Sequence, residues 1–234
     1  MKPIAHIESP YTSKFGIPRQ AGLTDVAARV VFEPEYRVAE AVRGLEDFDY
    51  VWLIWLFSGL GEGGGTTFRP TVRPPRLGGN RRVGVFATRS PFRPNAIGLS
   101  SVRLCGVEHD AQLGPVLYVA GADLMDGTPI LDVKPYIPYA DSHPDARSGF
   151  APSAPTRRMA VEDPDGLTSH LDEQLRHTLF ETLALDPRPS YQHDPQRVYT
   201  MQFADIEVPF RVDDDRIIIG INNNSTVQIN ELTN

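Results

Sequence analysis

The sequence contains one cysteine, Cys105, so no intrachain disulfide can form and a bridge-stapled secreted scaffold is excluded. Such usage fits a reducing cytoplasm. No stretch approaches the roughly 18 consecutive apolar residues of a membrane-spanning helix. The opening residues, Met1-Lys2-Pro3-Ile4-Ala5-His6, also lack the apolar run and small-residue cleavage site of a signal peptide. A cytoplasmic protein with no membrane association is expected. The histidines show no metal-ligand spacing, and with a single cysteine no metal site is expected. Neither G-x-S-x-G nor a P-loop is present. Cys105 lies among apolar strand residues, which predicts a packing role and not a nucleophile.

The most informative absence is local. Between Gly63 and Val107 there is no Asp, Glu or Lys, yet there are eight arginines: Arg69, Arg73, Arg76, Arg81, Arg82, Arg89, Arg93 and Arg103. That window carries +8 in a chain of formal net charge −7, which leaves −15 on the remainder. Such asymmetry says more about partners than the acidic total does. Arginine without lysine favours planar, bidentate recognition of phosphate or carboxylate. The window is therefore built for a polyanion, RNA foremost, against the plainer reading of solvated or structurally paired arginines. From Arg69 to Asn80 prolines alternate with arginines, which predicts a stiff, extended cationic arm. The segment Ala87 to Asn95 repeats the design, and Phe68 and Phe92 could add base stacking, although aromatics beside strands more often belong to a core.

What is present is an ordinary globular composition, 41% apolar and 23% charged over 234 residues. Short apolar runs separated by Pro/Gly-rich turns fill the first two-thirds. Among them, Tyr50 to Phe57 reads as a strand buried on both faces, and Val83 to Thr88 has strand-like length. Many strands with almost no helix predict a mainly β fold, an antiparallel β-barrel over residues 1–140. Residues 141–165, rich in Pro, Ala and Ser, read as a linker, and 166–234 as a small α+β domain. Its helix is predicted from Ser169, with Ser169 and Asp172 as a capping box and Leu167, Leu171, Leu175, Leu179 and Leu183 on one face.

Two further motifs invite a chemical reading. Gly59 to Gly64 matches G-x-G-x-x-G, but Pro70, Pro74 and Pro75 follow closely and no helix can start there, so the dinucleotide reading fails. Asp123 to Pro129 reads as a tight turn. Asp126-Gly127 supplies the turn chemistry but leaves Asp123 unexplained.

Several segments together resemble the TsaA/YaeB-like family, whose bacterial members are TrmO-type tRNA methyltransferases. They are Pro18-Arg19-Gln20, Arg69 to Asn80, Gly84 to Ser90, Phe92-Arg93-Pro94-Asn95, Asp126-Gly127-Thr128-Pro129, Lys134-Pro135-Tyr136 and Asp186-Pro187-Arg188-Pro189. The resemblance extends to about Ile219 and implies an S-adenosylmethionine site on a single β-barrel instead of a Rossmann sheet. It also implies a homodimer that methylates N6 of threonylcarbamoyladenosine at position 37 of threonine-type tRNAs. Cofactor contacts would then fall on Pro18, Arg19, Gln20, Ser58, Gly59, Arg89, Leu99, Asp123, Leu124, Met125 and Asp126. The family often carries His and a polar residue where this chain has Ser58-Gly59. Arg69, Arg73, Arg76 and Arg93 would hold anticodon-loop phosphates, and Asp126 would accept the N6 proton or orient the nitrogen, unless it serves only the cofactor or the turn. The competing readings are a non-enzymatic RNA-binding β-barrel and a small-anion binder.

Overall fold

A computed structural model describes residues 1–57, 67–154, 157–189, 192 and 194–220. Apolar residues at two-residue spacing decide which side of each strand turns inward. The strands β1 (Ala5–Glu8), β2 (Ala27–Phe32) and β3 (Tyr50–Leu56) are followed by the two-residue strands β4 (Thr71–Val72) and β5 (Val83–Gly84). Then come β6 (Ile97–Asp110), β7 (Gly114–Ala120) and β8 (Pro129–Pro135). β4 and β5 form a separate ribbon, while the other six close into a barrel in the order β1-β2-β7-β6-β3-β8 with every pair antiparallel. The mainly β, closed-barrel expectation holds. Its interior is packed with Ile7, Val30, Val51, Leu53, Leu117 and Ile130, each fully buried.

Several local expectations change. β3 is not buried on both faces. Val51, Leu53 and Trp55 point inward, while Tyr50, Trp52 and Ile54 lie on the outer wall, where Trp52 meets the Tyr136 ring and donates from Nε1 to Asp141 at 3.0 Å. Asp141 closes the short helix α1 (Pro138–Asp141). A barrel offers each strand only one interior, so the second apolar face is left to local cover. The Val83 to Thr88 strand reduces to β5 followed by a 3₁₀ turn at Val85–Ala87. The arginine arm is likewise not extended throughout: after β4 it coils into a 3₁₀ turn at Pro75–Leu77, ended by Gly78 at φ +71°. Cys105 is exposed, contrary to the packing expectation. The β6–β7 register shifts between Leu104 and Gly106, so Cys105 is the extra residue of a bulge and escapes the alternation.

The second unit is a four-stranded sheet, β10-β11-β12-β9, backed by helix α2 (Glu173–Ala184). Its strands are β9 (Ala160–Glu162), β10 (Tyr199–Phe203), β11 (Ile206–Asp213) and β12 (Arg216–Ile219). β9 pairs in parallel with β12 and lies inside the stretch read as linker, so that stretch is partly structure. α2 begins later than Ser169: its N-cap is Asp172, whose carboxylate accepts the Leu175 N–H at 2.8 Å. Leu179 and Leu183 are fully buried, as the leucine stripe requires.

The segment joining β1 to β2 belongs to both units. Tyr11, Phe15, Ile17 and Val26 all pack in the core of the second unit. The Tyr11 hydroxyl, itself buried, bonds Thr24 Oγ1 at 3.2 Å and Thr182 Oγ1 of α2 at 3.0 Å. Asp25 N–H donates to Glu181 at 3.0 Å and Arg158 donates to the Leu23 carbonyl at 2.6 Å. Tyr11→Phe keeps the ring but leaves two buried hydroxyls short of a partner. It should lower unfolding free energy by about 1–2 kcal/mol in urea denaturation. A midpoint unchanged from wild type would show that the bridge adds nothing.

Candidate functional site

At one end of the barrel an inward-facing polar chain interrupts the apolar core. Trp55 on β3 stands opposite Gly98 on β6, where an added Cβ would lie 2.2 Å from the indole. Only glycine lets the ring lie against that strand. The Trp55 Nε1–H donates to Ser100 Oγ at 3.1 Å, and Ser100 Oγ–H donates to Asp123 Oδ1 at 2.6 Å. Asp123 is a half-buried residue whose carboxylate end is sunk against this chain. Burial pushes its carboxyl above the usual carboxylate range. The Ser100 hydroxyl, nearby backbone amides and the Arg89 charge pull the other way without cancelling the effect.

The turn that presents Asp123 is laced to the β1–β2 segment. Gly121, at φ +82°, accepts from Gly22 N–H at 2.8 Å and donates to the Val26 carbonyl at 2.9 Å. Ser9 Oγ–H donates to the Leu124 carbonyl at 2.9 Å, and Ser9 N–H donates to Asp126 Oδ1 at 3.0 Å. Asp126 N–H in turn donates to the Tyr11 carbonyl at 2.8 Å.

Between these elements opens a cavity of about 500 Å³. Pro18, Arg19, Gln20, Arg89, Leu99, Asp123, Leu124 and Met125 all line it. Segments more than 100 residues apart in sequence are thus brought together, with Arg89 donating to the Gln20 side-chain oxygen. Asp126 is not among the lining residues: it is exposed and its carboxylate faces Ser9. Ser58 and Gly59, like the rest of the glycine-rich run to Gly64, lie outside the described residues. Trp55, Phe57, Ile17, Thr88 and Gly98 also line the cavity, and sequence reasoning missed them. Thr88 could have been found beside Arg89 in its motif. The Trp55–Gly98 contact depends on β-register, which no local signal carries.

The arginines divide. Arg69, Arg73 and Arg76 are exposed, with Arg69 over the Phe92 ring at 4.3 Å and Arg76 bonded to the Ser153 carbonyl. Arg93 lines the cavity and donates to the carbonyls of Thr88 at 2.6 Å and Val85 at 3.2 Å. It braces its own loop and stands apart from the other three. Arg103 pairs with Asp25 at 3.2 Å, an acidic partner from outside the acid-free window.

A closed β-barrel with a cavity of this size, a sunken carboxylate at its wall and Arg19, Arg89 and Arg93 along its lining has the form of a small-ligand-binding barrel. The model of the tRNA-methyltransferase O N-terminal domain matches residues 6–142, and that of the TrmO C-terminal domain matches residues 159–223. The chain belongs to the TrmO family. It is 45% identical over 225 residues to the tRNA (adenine(37)-N6)-methyltransferase of Escherichia coli K12, covering 90% of this chain and 92% of that one. A Pseudomonas aeruginosa relative provisionally named an S-adenosylmethionine-dependent methyltransferase, RcsF, is 45% identical over 218 residues, covering 89% of this chain and 90% of that one. The crystal structure of TrmO from P. aeruginosa superposes with a TM-score of 0.72 at 38% identity, covering 93% of this chain and 94% of that one.

Because burial favours the neutral Asp123 carboxyl, the folded chain binds that proton more tightly than the unfolded chain, whose value is about 3.9. The stabilisation from this group is therefore complete below the unfolded value and is lost as pH rises through the folded one. Asp123→Asn keeps an acceptor oxygen toward Ser100 and removes the charge. It should unfold at a higher temperature than wild type at neutral pH, with the gap closing toward acid. Thermal unfolding of both chains across that range measures it, and a gap that widens toward acid would reverse the assignment.

Proposed function

We propose that this chain is an S-adenosylmethionine-dependent methyltransferase acting on N6 of adenosine 37 in tRNA. More finely, we assign it to threonylcarbamoyladenosine in threonine-type tRNAs, working as a homodimer in the cytoplasm. The observation that carries the reading is the cavity at the barrel end, where Gln20, Arg89 and Asp123 converge within largely apolar walls. Its volume falls in the range of small-molecule sites, roughly 300–1,000 Å³.

The residues fit a nucleoside that carries cationic and carboxylate groups. Ile17, Pro18, Leu124 and Met125 offer apolar wall to a base, Asp123 offers a carboxylate to a cation, and Arg19 and Arg89 offer guanidinium groups to a carboxylate. When bound, S-adenosylmethionine supplies a methyl group already activated by its sulfonium. The chain's own task is then alignment, which can contribute up to roughly 7–11 kcal/mol. Trp55 and Phe57, with ring centroids 4.3 Å apart, give the cavity wall a large apolar surface. The acceptor nitrogen lies between a purine and a carbonyl, so its lone pair is delocalised, and the proton that it loses on methylation passes to water. Asp126 is held by Ser9 N–H, and we assign it to shaping the turn that presents Asp123 to Met125. Arg69, Arg73 and Arg76 are the groups we assign to anticodon-loop phosphates.

A homodimer is supported by the outer face of β3 and β6. There Tyr50, 44% exposed, stands in the same wall as Trp52 and Ile54, and Leu99, which lines the cavity, is 50% exposed beside Ile54, so the apolar face that a second subunit could cover runs up to the cavity. No helix among the described residues is long and apolar enough to cross a membrane. The competing reading of a non-enzymatic RNA-binding barrel uses the same arginines but gives the cavity no ligand.

S-Adenosylhomocysteine at about 100 times its dissociation constant should stabilise the chain by about 2.7 kcal/mol. Cells without the gene should lose N6-methyl-threonylcarbamoyladenosine from threonine tRNA, read by nucleoside mass spectrometry, and the purified chain should sediment at twice 26.0 kDa. No thermal shift together with an unchanged nucleoside profile would leave the RNA-binding reading in its place. Asp126→Asn should keep the thermal shift and a single-turnover rate near wild type. A fall of about 100-fold or more would instead make Asp126 the group that engages the N6 proton.

A further inference from the structure

The 3₁₀ turn Val85–Ala87 presents an aromatic ring that folding does not use. Val85 is buried at 1% exposure and anchors the turn, whereas its neighbour Phe86 is 69% exposed. The turn is rigidly held. Val85 N–H donates to the Pro70 carbonyl at 3.0 Å, Thr88 Oγ1–H donates to the Val85 carbonyl at 2.7 Å, and Arg93 donates to that same carbonyl. Phe68, 47% exposed, stacks on Phe86 with ring centroids 6.4 Å apart and planes 28° from parallel. The Arg93 guanidinium lies over the Phe86 ring at 5.3 Å. Two large exposed rings, one on a braced turn and one stacked beside it, give little to stability, but they form a platform already ordered for a flat ligand.

The position of the platform identifies the ligand. Arg93 and Thr88, which brace the turn, also line the cavity, so the turn that carries Phe86 adjoins it. The surrounding sequence carries arginines and no acid from Gly63 to Val107. An apolar patch inside a cationic, acid-free field suits a nucleobase attached to phosphate better than an apolar peptide, because stacking supplies the contact and the arginines hold the backbone. Phe92, the ring singled out from sequence beside Phe68, is half-buried with Arg69 close over it, and so offers less open ring than Phe86.

We propose that Phe86, backed by Phe68, is a stacking platform for a nucleobase next to the target adenosine. It would hold the splayed loop while the target enters the cavity. This inference rests on the tRNA-methyltransferase reading and adds to it the residues that grip the loop.

The experiment compares wild type with Phe86→Ala, Phe86→Leu and Phe86→Trp. It uses an anticodon stem-loop of threonine tRNA in anisotropy titrations and full-length tRNA in steady-state kinetics. At 69% exposure the ring is not needed for folding, and Phe86→Leu retains most of its apolar area. The Ala and Leu chains should bind the stem-loop about tenfold or more weakly and show a KM raised to match. The S-adenosylhomocysteine thermal shift and the sedimentation mass should be unchanged, and Trp should restore binding. Wild-type binding by Phe86→Ala or full rescue by Leu would overturn the platform. A lost thermal shift or an altered mass would also overturn it, by placing Phe86 in the cofactor wall or between subunits. The stem-loop titration reads the platform even on a chain that transfers no methyl group, so its failure is separable from that of the functional reading.

Discussion

Barrel closure between β1 and β8 is the constraint on which the site depends. The seam is short: Ala5 pairs with Ile130 and His6 with Pro129, extended by Ile4 N–H to the Ile130 carbonyl at 2.8 Å and Gly127 N–H to the Ile7 carbonyl at 2.8 Å. These contacts join the N-terminus to residues more than 100 positions away. The residues that follow Glu8, from Ser9 to Tyr11, are thereby delivered beside the turn at Asp123 to Thr128. The Ser9 bonds to Leu124 and Asp126 are consequences of that delivery, as is the Gly22–Gly121 contact. A chain with the same strands and an open seam would have the same motifs but no cavity.

Closure also explains which parts of the protein could be read from sequence. The barrel class was legible because strand length, turn chemistry and scarcity of helix all pointed the same way. The leucine stripe of α2 was legible because it repeats within one element. What needed the structure was register. The continuous apolar run of β3 hides the fact that Trp55 faces in and Trp52 faces out. The bulge that exposes Cys105 arises from pairing with β7 and leaves no mark on the apolar neighbourhood that suggested burial. Three residues of β9, too short to signal anything alone, become a strand only because β12 offers an edge. Of the residues that line the cavity, Pro18-Arg19-Gln20, Arg89 and Asp123 to Met125 were named as candidates through family likeness, whereas Trp55 and Gly98 had no such cue. Of the two carboxylates in that turn, Asp123 lines the cavity and Asp126 is exposed beside Ser9.

The acid-free window performs two physical jobs that its charge alone does not separate. Arg93 is spent on the backbone carbonyls of its own loop, and Arg103 is paired with Asp25. Arg69, Arg73 and Arg76 remain exposed, and Arg89 is bonded to Gln20 at the cavity wall. Bracing arginines hold the surface still, and exposed ones charge it. A loop that lacked the first kind would present the second with far more conformational freedom to lose on binding.

The second unit takes part in the same arrangement through the segment it shares with the barrel. Tyr11, Phe15, Ile17 and Val26 leave the barrel's first two strands yet lie in the other core, with Phe15 stacked on Tyr199 and Phe210. Ile17 belongs to that core and also to the cavity wall, and Pro18, Arg19 and Gln20 follow directly. Arg19 reaches the Arg188 carbonyl at 3.5 Å, at the end of the loop that stops α2. The shape of the segment from Ile17 to Gln20 is therefore set by apolar burial in the second unit as much as by hydrogen bonds to the barrel. Two family models divide the chain near residue 150, but the packing does not divide there. The barrel supplies Asp123 and the cavity floor, and the second unit folds the wall that faces them.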